Sequence, residues 1–376
     1  MQIETPTAIQ SATIPPLLDG RDVIGQAYTG SGKTLAFALP LVERVDSSEK
    51  RLQALVLCPT RELAQQVGGV LAQVVAGTGM RSTIVFGGRA MGPQEEALRC
   101  GAQIVVGTPG RILDHLNRGS MRLDAISFLV LDEADEMLDR GFGPDVQRIL
   151  ARSPNTRQTA LFSATTPDWV HEVSKKYLRD PVVVEMPSEN GVGPDIDHVV
   201  YEVWNGDKFT VLRRLLDEPT EGATLVFRRT KRGVHNLCAR LGRLGYPVDQ
   251  LQGDLPQRQR DRVLTKFREG KTPILVATNV AARGLDVLHI ERVINYEVPD
   301  SHELFTHRVG RTGRMGRSGR SITLLGADDL AKWHEIERGL ERKLPRLTAE
   351  GEVVPPAPSR PFGRGGRRRT GFRVRR

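Results

Sequence analysis

Cysteine is scarce: Cys58, Cys100 and Cys238 stand far apart and never form a C-x2-C pair. That excludes a disulfide framework and a cysteine-built zinc site, and it fits a reducing cytoplasm. Long apolar runs are missing too. With a mean hydropathy of −0.32 and no run of about 18 apolar residues, the chain offers no membrane span. The opening residues, MQIETPTAIQ, have neither the basic start nor the apolar core of a secretory signal, so nothing directs export. Aromatic residues are only 5% of the chain, which disfavours any groove built to stack successive bases.

What is present is size and a peculiar distribution of charge. The 376 residues leave room for two or three domains with full cores. The net charge is +9, yet residues 359–376 (SRPFGRGGRRRTGFRVRR) hold eight arginines and no acid, which leaves +1 for the rest. Any grip on a polyanion by the body therefore has to come from placed groups rather than from a bulk field. A G+C-rich genome accounts for 44 Arg against 10 Lys more simply than selection for bidentate phosphate contacts does.

Short apolar runs alternate with helix-period segments: DVIGQ (22–26), ALVLC (54–58), TIVF (83–86), QIVV (103–106), SFLVL (127–131), TALF (159–162) and VVVE (182–185). Continuous apolar strands of this kind are buried on both faces, as in a parallel sheet. Leu35, Ala38, Leu39 and Val42 fall at helical spacing after the first strand, so the unit is βαβ. Periodicity stops over residues 187–197, which read as a linker. A second alternating series follows over 198–344, with strands HVVYEVW, ATLVF, PVDQL, PILVA, RVINY and SITLL. The expectation is two tandem α/β domains with parallel sheets flanked by helices, 1–186 and 198–344. Residues 345–376, rich in Pro, Gly and Arg, are expected to be disordered.

The segment AYTGSGKT (27–34) lies between the first strand and the first amphipathic helix. A phosphate-binding loop needs that context: glycines that turn backbone N–H groups inward, and a helix N-terminus with its partial positive charge. Ala27, Tyr28, Thr29, Gly30, Ser31 and Gly32 form the turn, Lys33 would reach the β and γ phosphates of ATP, and the Thr34 hydroxyl would ligate Mg2+. Only the first position departs from G-x4-G-K-[ST], being Ala27. SFLVLDEAD then supplies Asp132 as a metal-side acid at a strand tip and Glu133 as a water-positioning carboxylate. The missing part is a cation for the developing charge. HRVGRTGR (307–314) in the second domain offers Arg311 and Arg314, if the two domains face each other across the nucleotide.

The ordered set PTAIQ, AYTGSGKT, PTRELAQQ (59–66), Gly87-Gly88, TPGR (108–111), DEAD (132–135), SAT (163–165), LVFRRT (225–230), QRQR, ATNVAARGLD (277–286) and HRVGRTGR resembles the DEAD-box RNA helicases of superfamily two, bacterial members included. The resemblance covers nearly all of residues 5–325. It implies a pair of RecA-like domains joined by a flexible linker that close on ATP and on one strand of RNA. By the same resemblance Gln10 reads adenine with Thr5 shaping its loop, Asp286 holds the ribose, and Arg311 and Arg314 meet the γ-phosphate. Ser163 and Thr165 would couple the nucleotide site to closure through hydrogen bonds to the DEAD acids, with His307 an interdomain hydrogen-bonding residue. RNA would meet Thr60, Arg61, Gly88, Thr108, Gly110 and Arg111 of the first domain and Arg228, Gln257, Arg260 and Thr278 of the second. These groups suit phosphate and 2′-OH, not base edges, so binding would be sequence-independent.

Three positions depart from the family pattern. The ring that stacks on adenine lies further upstream of Gln10 than the nine residues present, Gln252-Gly253 replaces the usual HG, and Asn279 stands where an Asp is usual. The leading expectation is an RNA-stimulated, cytoplasmic, monomeric ATPase that opens short RNA duplexes locally. The alternative is an RNA clamp or annealing factor whose slow ATPase times release.

Overall fold

In the computed structural model the first half of the chain forms one sheet from β1 (Val23–Gln26), β2 (Ala54–Leu57), β3 (Ser82–Val85), β4 (Ile104–Gly107), β5 (Phe128–Leu131), β6 (Gln158–Ser163) and β7 (Val182–Glu185). Around it pack α1 (Ala8–Leu18), α2 (Lys33–Arg44), α3 (Arg61–Val74), α4 (Met91–Arg99), α5 (Pro109–Arg118), α6 (Ala134–Asp139), α7 (Gly143–Arg152) and α8 (Asp168–Tyr177). The second half repeats the plan. Its strands are β8 (Ile196–Glu202), β9 (Ala223–Arg228), β10 (Val248–Leu251), β11 (Ile274–Thr278), β12 (Ile290–Asn295), β13 (Gly319–Leu325) and β14 (Arg346–Thr348). Its helices are α9 (Lys208–Asp217), α10 (Lys231–Arg243), α11 (Gln257–Arg268), α12 (Asn279–Ala282), α13 (His302–Val309) and α14 (Leu330–Gly339). The structure describes residues 5–27, 30–186, 196–204, 207–282, 287, 289–313 and 317–354. Tyr28, Thr29, Asp286, Arg314, residues 187–195 of the expected linker and residues 355–376 lie outside that set.

The seven strands of each sheet run parallel, in the orders β3-β4-β2-β5-β6-β1-β7 and β10-β11-β9-β12-β13-β8-β14. Alternation of side chains feeds both faces. In β2, Ala54 and Val56 join the cluster of Phe37 and Phe162, while Leu55 and Leu57 join Leu129 and Ile149 on the other side. No polar position interrupts the strand, because neither face sees water. Among the described residues no helix is long and apolar enough to cross a membrane.

Four local expectations change. Residues 345–354 are ordered: β14 pairs in parallel with β8, Leu347 packs on the core, and Thr348 N–H donates to Glu352 O at 2.7 Å. Polar composition misled there, since an edge strand needs to bury only one side. Strand β8 starts at Ile196, inside the expected linker. Residues Ala8–Gln10, expected in a loop, form the first turn of α1, which runs on through Pro15 and Pro16. The face of α2 is rotated from the sequence reading. Leu39 is 43% exposed, and Phe37 and Leu41 fill the core instead, because α1 covers a further side of the helix.

Candidate nucleotide and RNA site

Apart from PTAIQ, which opens α1, the first-domain motifs leave the C-terminal ends of parallel strands, where an open α/β sheet presents its crevice. The spatial order sorts them. The phosphate loop, DEAD and SAT come off β1, β5 and β6, which are neighbours; PTRELAQQ, GG and TPGR come off β2, β3 and β4. Strand order alone thus separates the phosphate loop, DEAD and SAT from PTRELAQQ, GG and TPGR.

At the phosphate loop, Gly30 and Gly32 have φ of 90° and 95°, and α2 starts at Lys33. A Cβ on Gly32 would stand 2.7 Å from Gln10 Nε2 and 2.9 Å from Thr7 Oγ1, so both backbone and space require glycine. Gln10 is buried and already engaged: its Oε1 accepts from Thr7 N–H at 2.9 Å and its Nε2 donates to Gly32 O at 3.0 Å. One lone pair and one hydrogen of the amide remain for a ligand. Thr5 is exposed at the edge of this turn, Ala27 is buried and Thr34 half-buried. The buried Lys33 Nζ donates to Ala27 O at 2.8 Å.

Asp132 and Glu133 follow β5. Glu133 is left-handed, with φ 52° and ψ 57°, a strained conformation that turns the chain sharply into α6. Both carboxylates are buried, and among the described residues Asp132 Oδ1, Glu133 Oε2 and Ser31 Oγ have no hydrogen-bond partner. Burial raises the Asp132 carboxyl to about 7, against the opposing charge of Lys33 and with Glu133 adding to the rise. The buried, unpartnered carboxylate oxygens of Asp132 and Glu133 are hard oxygen donors, a chemistry that fits a magnesium ion keeping part of its water shell.

Asp135 has no such vacancy for a metal. Its Oδ2 accepts from Thr165 N–H at 2.9 Å, Thr165 Oγ1 at 3.0 Å and Ala164 N–H at 3.2 Å, and its own N–H donates to Ser163 Oγ at 3.2 Å. The hydrogen bonds expected from Ser163 and Thr165 to the DEAD acids therefore meet at Asp135. The second domain arrives there too. His307 Nδ1 lies 3.0 Å from Glu136 Oε1, and Nε2 lies 3.7 Å from Asp135 Oδ2. Burial opposes the charge on His307, but the two carboxylates win and raise it to about 9. Asp135 is likewise penalised by burial yet held well below the usual carboxylate range, by His307 first and then by Lys33 and Thr165. Glu136, Asp139 and His307 offer ligand atoms within 4.8 Å of one another. The raised His307 sits between Glu136 and Asp135 as an ion-paired joint across the two domains. Arg311 is buried one turn beyond, with Nε donating to His307 O at 3.2 Å.

At the ends of β2, β3 and β4, Arg61 and Arg111 converge on the glycine pair. A Cβ on Gly88, whose φ is 84°, would fall 2.3 Å from Arg61 Nη1. Arg111 Nη1 donates to Arg89 O at 3.1 Å. Thr60 and Thr108 are buried N-caps of α3 and α5, and Thr60 Oγ1 accepts from Leu63 N–H at 3.0 Å. A Cβ on Gly110 would meet open space. From the second domain Gln257 Oε1 accepts from Arg61 Nη1 at 2.9 Å, and Arg260 pairs with Glu62 while its Nη2 donates to Ala281 O at 2.6 Å. Arg89 stands 3.9 Å from Asp261 across the same seam. Arg228 and Thr278 are register partners in β9 and β11, with Arg228 over the Tyr296 ring at 4.6 Å. Sequence reading missed Glu62, Arg89, Glu136, Arg140 and Asp261. Each is a charge beside a motif, and its partner lies in the other half of the chain.

The departure at Asn279 is absorbed locally: Arg308 Nε donates to Asn279 Oδ1 at 2.6 Å, and Nη1 donates to Asn295 Oδ1 at 2.9 Å and to Glu297 O at 2.8 Å.

Comparison with known proteins agrees with this geometry. The DEAD/DEAH box helicase family model matches residues 7–173, and the helicase conserved C-terminal domain matches 207–316. The DEAD-box ATP-dependent RNA helicase CshA of Geobacillus kaustophilus is 44% identical over 347 residues, which are 92% of this chain and 74% of that protein. The chain belongs to the DEAD-box ATP-dependent RNA helicases, a family of ATP-hydrolysing enzymes. It spans 66% of the length of the like-named Bacillus cereus relative, at 43% identity over 93% of this chain. Among solved DEAD-box structures, S. cerevisiae Dbp5 bound to RNA and ADP BeF3 superposes with a TM-score of 0.85 at 33% identity, covering 93% of this chain and 92% of that one. A variant of the same protein bound to Nup159, Gle1, IP6 and ADP superposes at 0.65, with 32% identity and coverage of 93% and 92%.

Proposed function

We propose that this helicase couples RNA-stimulated ATP hydrolysis to closure of its two domains, and that closure opens short RNA duplexes locally without regard to sequence. The observation that carries the reading is the pair of superpositions with Dbp5. At near-equal identity, the arrangement of this chain is nearer the one bound to RNA and ADP BeF3 than the one bound to Nup159, Gle1, IP6 and ADP. The contacts across the seam, from Arg61 to Gln257 and from His307 to Glu136, accord with it.

In this reading Gln10 offers its free amide valences to adenine, Lys33 leaves Ala27 O for the phosphates, and Asp286 holds the ribose. Thr34 and Asp132 would hold Mg2+, which when bound neutralises phosphate charge. Glu133, fixed in a strained turn, orients the attacking water. Arg311 and Arg314 bring positive charge to the γ-phosphate only when the domains meet, so hydrolysis waits for closure. RNA backbone runs over Arg61, Gly88, Thr108, Gly110 and Arg111 to Arg228, Gln257, Arg260 and Thr278, with Thr60 holding the start of α3. Guanidinium, amide and hydroxyl groups grip phosphate and 2′-OH and carry no base code.

The test is ATP hydrolysis without nucleic acid, with RNA, and with DNA of equal length, followed by strand displacement on a short duplex. Stimulation by RNA alone together with displacement is expected. Stimulation without displacement would move the reading to an RNA clamp with a timing ATPase, and equal stimulation by DNA would sink the RNA grip as assigned.

A further inference from the structure

We propose that Arg140 is a positioning residue for closure, tying α6, which begins inside the DEAD motif and carries Asp135, to α12, the helix that follows Thr278. The inference rests on the closure reading given above. Arg140 is the C-cap of α6, and neither it nor Glu136 belongs to the four DEAD residues. Its side chain is 17% exposed at the domain seam. From there Nη2 crosses to Val280 O of α12 at 3.2 Å, while Nε stays 3.9 Å from Glu136 Oε2. Glu136 in turn lies 3.0 Å from His307.

The acceptor side explains why one guanidinium can matter. Two carbonyl groups of α12 (Asn279–Ala282) are taken up by side chains from outside the helix. Two arginines fill them from different directions: Arg140 of the first domain on Val280 O, and Arg260 on Ala281 O. Arg260 itself pairs back to Glu62 of the first domain. Thr278, at the end of β11 beside Arg228, leads directly into this helix. The first arginine runs back through Glu136 to His307 and Asp135 at the nucleotide side. The second runs to Glu62 on the side proposed for RNA.

A charged donor on a carbonyl is among the stronger hydrogen bonds. Because its donor and acceptor sit on different domains, the Arg140 contact favours the closed arrangement over any in which the domains part.

The experiment uses the full chain with donor and acceptor dyes on the two domains, titrated with RNA in the presence of a non-hydrolysable ATP analogue. Arg140→Ala is expected to raise the RNA concentration for half-closure about tenfold, the loss of one charge-assisted bond. The RNA KM of the ATPase should rise in parallel, while kcat at saturating RNA and the melting temperature stay at wild type. Arg140→Lys keeps a charged donor and should recover most of the shift. A purely structural role as a helix cap would lower melting and leave the RNA titration in place. Wild-type closure with an unshifted Arg140→Ala titration would overturn the role of Arg140 alone. No closure in the wild type would overturn the closure reading beneath it.

Discussion

Lys33 is the residue at which the nucleotide reading is most exposed to test. Its ammonium lies buried against Ala27 O and is electrostatically coupled to Asp132. In a water-poor site a single cation on phosphate contributes far more than it would in solvent. Lys33→Ala should therefore abolish RNA-stimulated ATP hydrolysis; wild-type turnover in that variant would disprove the phosphate-loop assignment. Glu133→Gln asks a different question, since it keeps size and leaves Asp132 untouched. It should bind ATP and RNA and hydrolyse at least about a hundredfold more slowly, as expected when a proton-handling group is lost. The visible phenotype would be a long-lived RNA complex in the presence of ATP, and prompt RNA release would count against the role.

At the scale of elements, β14 shows what a short polar-looking strand can anchor. Arg346 pairs with Glu202 of β8 at 3.0 Å and with Glu337 of α14 at 2.9 Å. Both carboxylates have side chains only 11% and 7% exposed, while Arg346 is 22% exposed. Removing the guanidinium strands two largely buried charges, so Arg346→Ala should destabilise the second domain by about 3 kcal/mol, the lower end of the cost of breaking a buried pair. Denaturant unfolding of that domain measures it, and a change within the scatter of surface substitutions would mean that β14 is only loosely attached. Helix α1 teaches the complementary lesson. The helix passes through Pro15 and Pro16, residues that ordinarily disfavour a helix interior, and it packs Ile9 and Leu17 into the first core.

At the scale of the whole molecule, an ion-paired joint links the two halves at His307, Asp135 and Glu136. His307 is raised from 6.5 to about 9, and the ionisable groups around it are Asp135, Glu136 and Asp139 of α6 with Glu303 and Arg311 of its own segment. A raised histidine gives its full stabilisation below about 6.5 and loses it as pH climbs through about 9. Closure on RNA and an ATP analogue should therefore loosen across that window; a closed fraction flat to well above pH 9 would show that His307 does not carry the joint. The arginines of residues 359–376 belong to the same scale through their charge. Each neutralised phosphate on a single strand adds about 0.7 to the salt slope, so these eight arginines contribute at most roughly 5 to 6. Deleting 359–376 should weaken RNA binding and flatten its salt dependence, with turnover at saturating RNA unchanged. An unchanged slope would leave the whole grip to the two domains.

Much of this was written locally. A phosphate loop between a buried strand and a helix, an acid pair at a strand tip, and apolar runs that only a parallel sheet can bury are all readable within a few residues of one another. They determined the tandem α/β architecture, the strands of both sheets apart from β14, and the nucleotide chemistry expected of Lys33, Asp132 and Glu133. Tertiary structure alone decided which charges meet. The pairings of Glu62 with Arg260, Glu136 with His307 and Arg140 with Val280 O span well over a hundred residues. Their members look like ordinary solvated charges until two separately folded sheets are brought face to face, because a long-range ion pair leaves no periodicity in the chain. The same reason hid β14, whose burial depends on an edge that β8 provides, and the turn of α2, whose buried face was set by α1 lying across it.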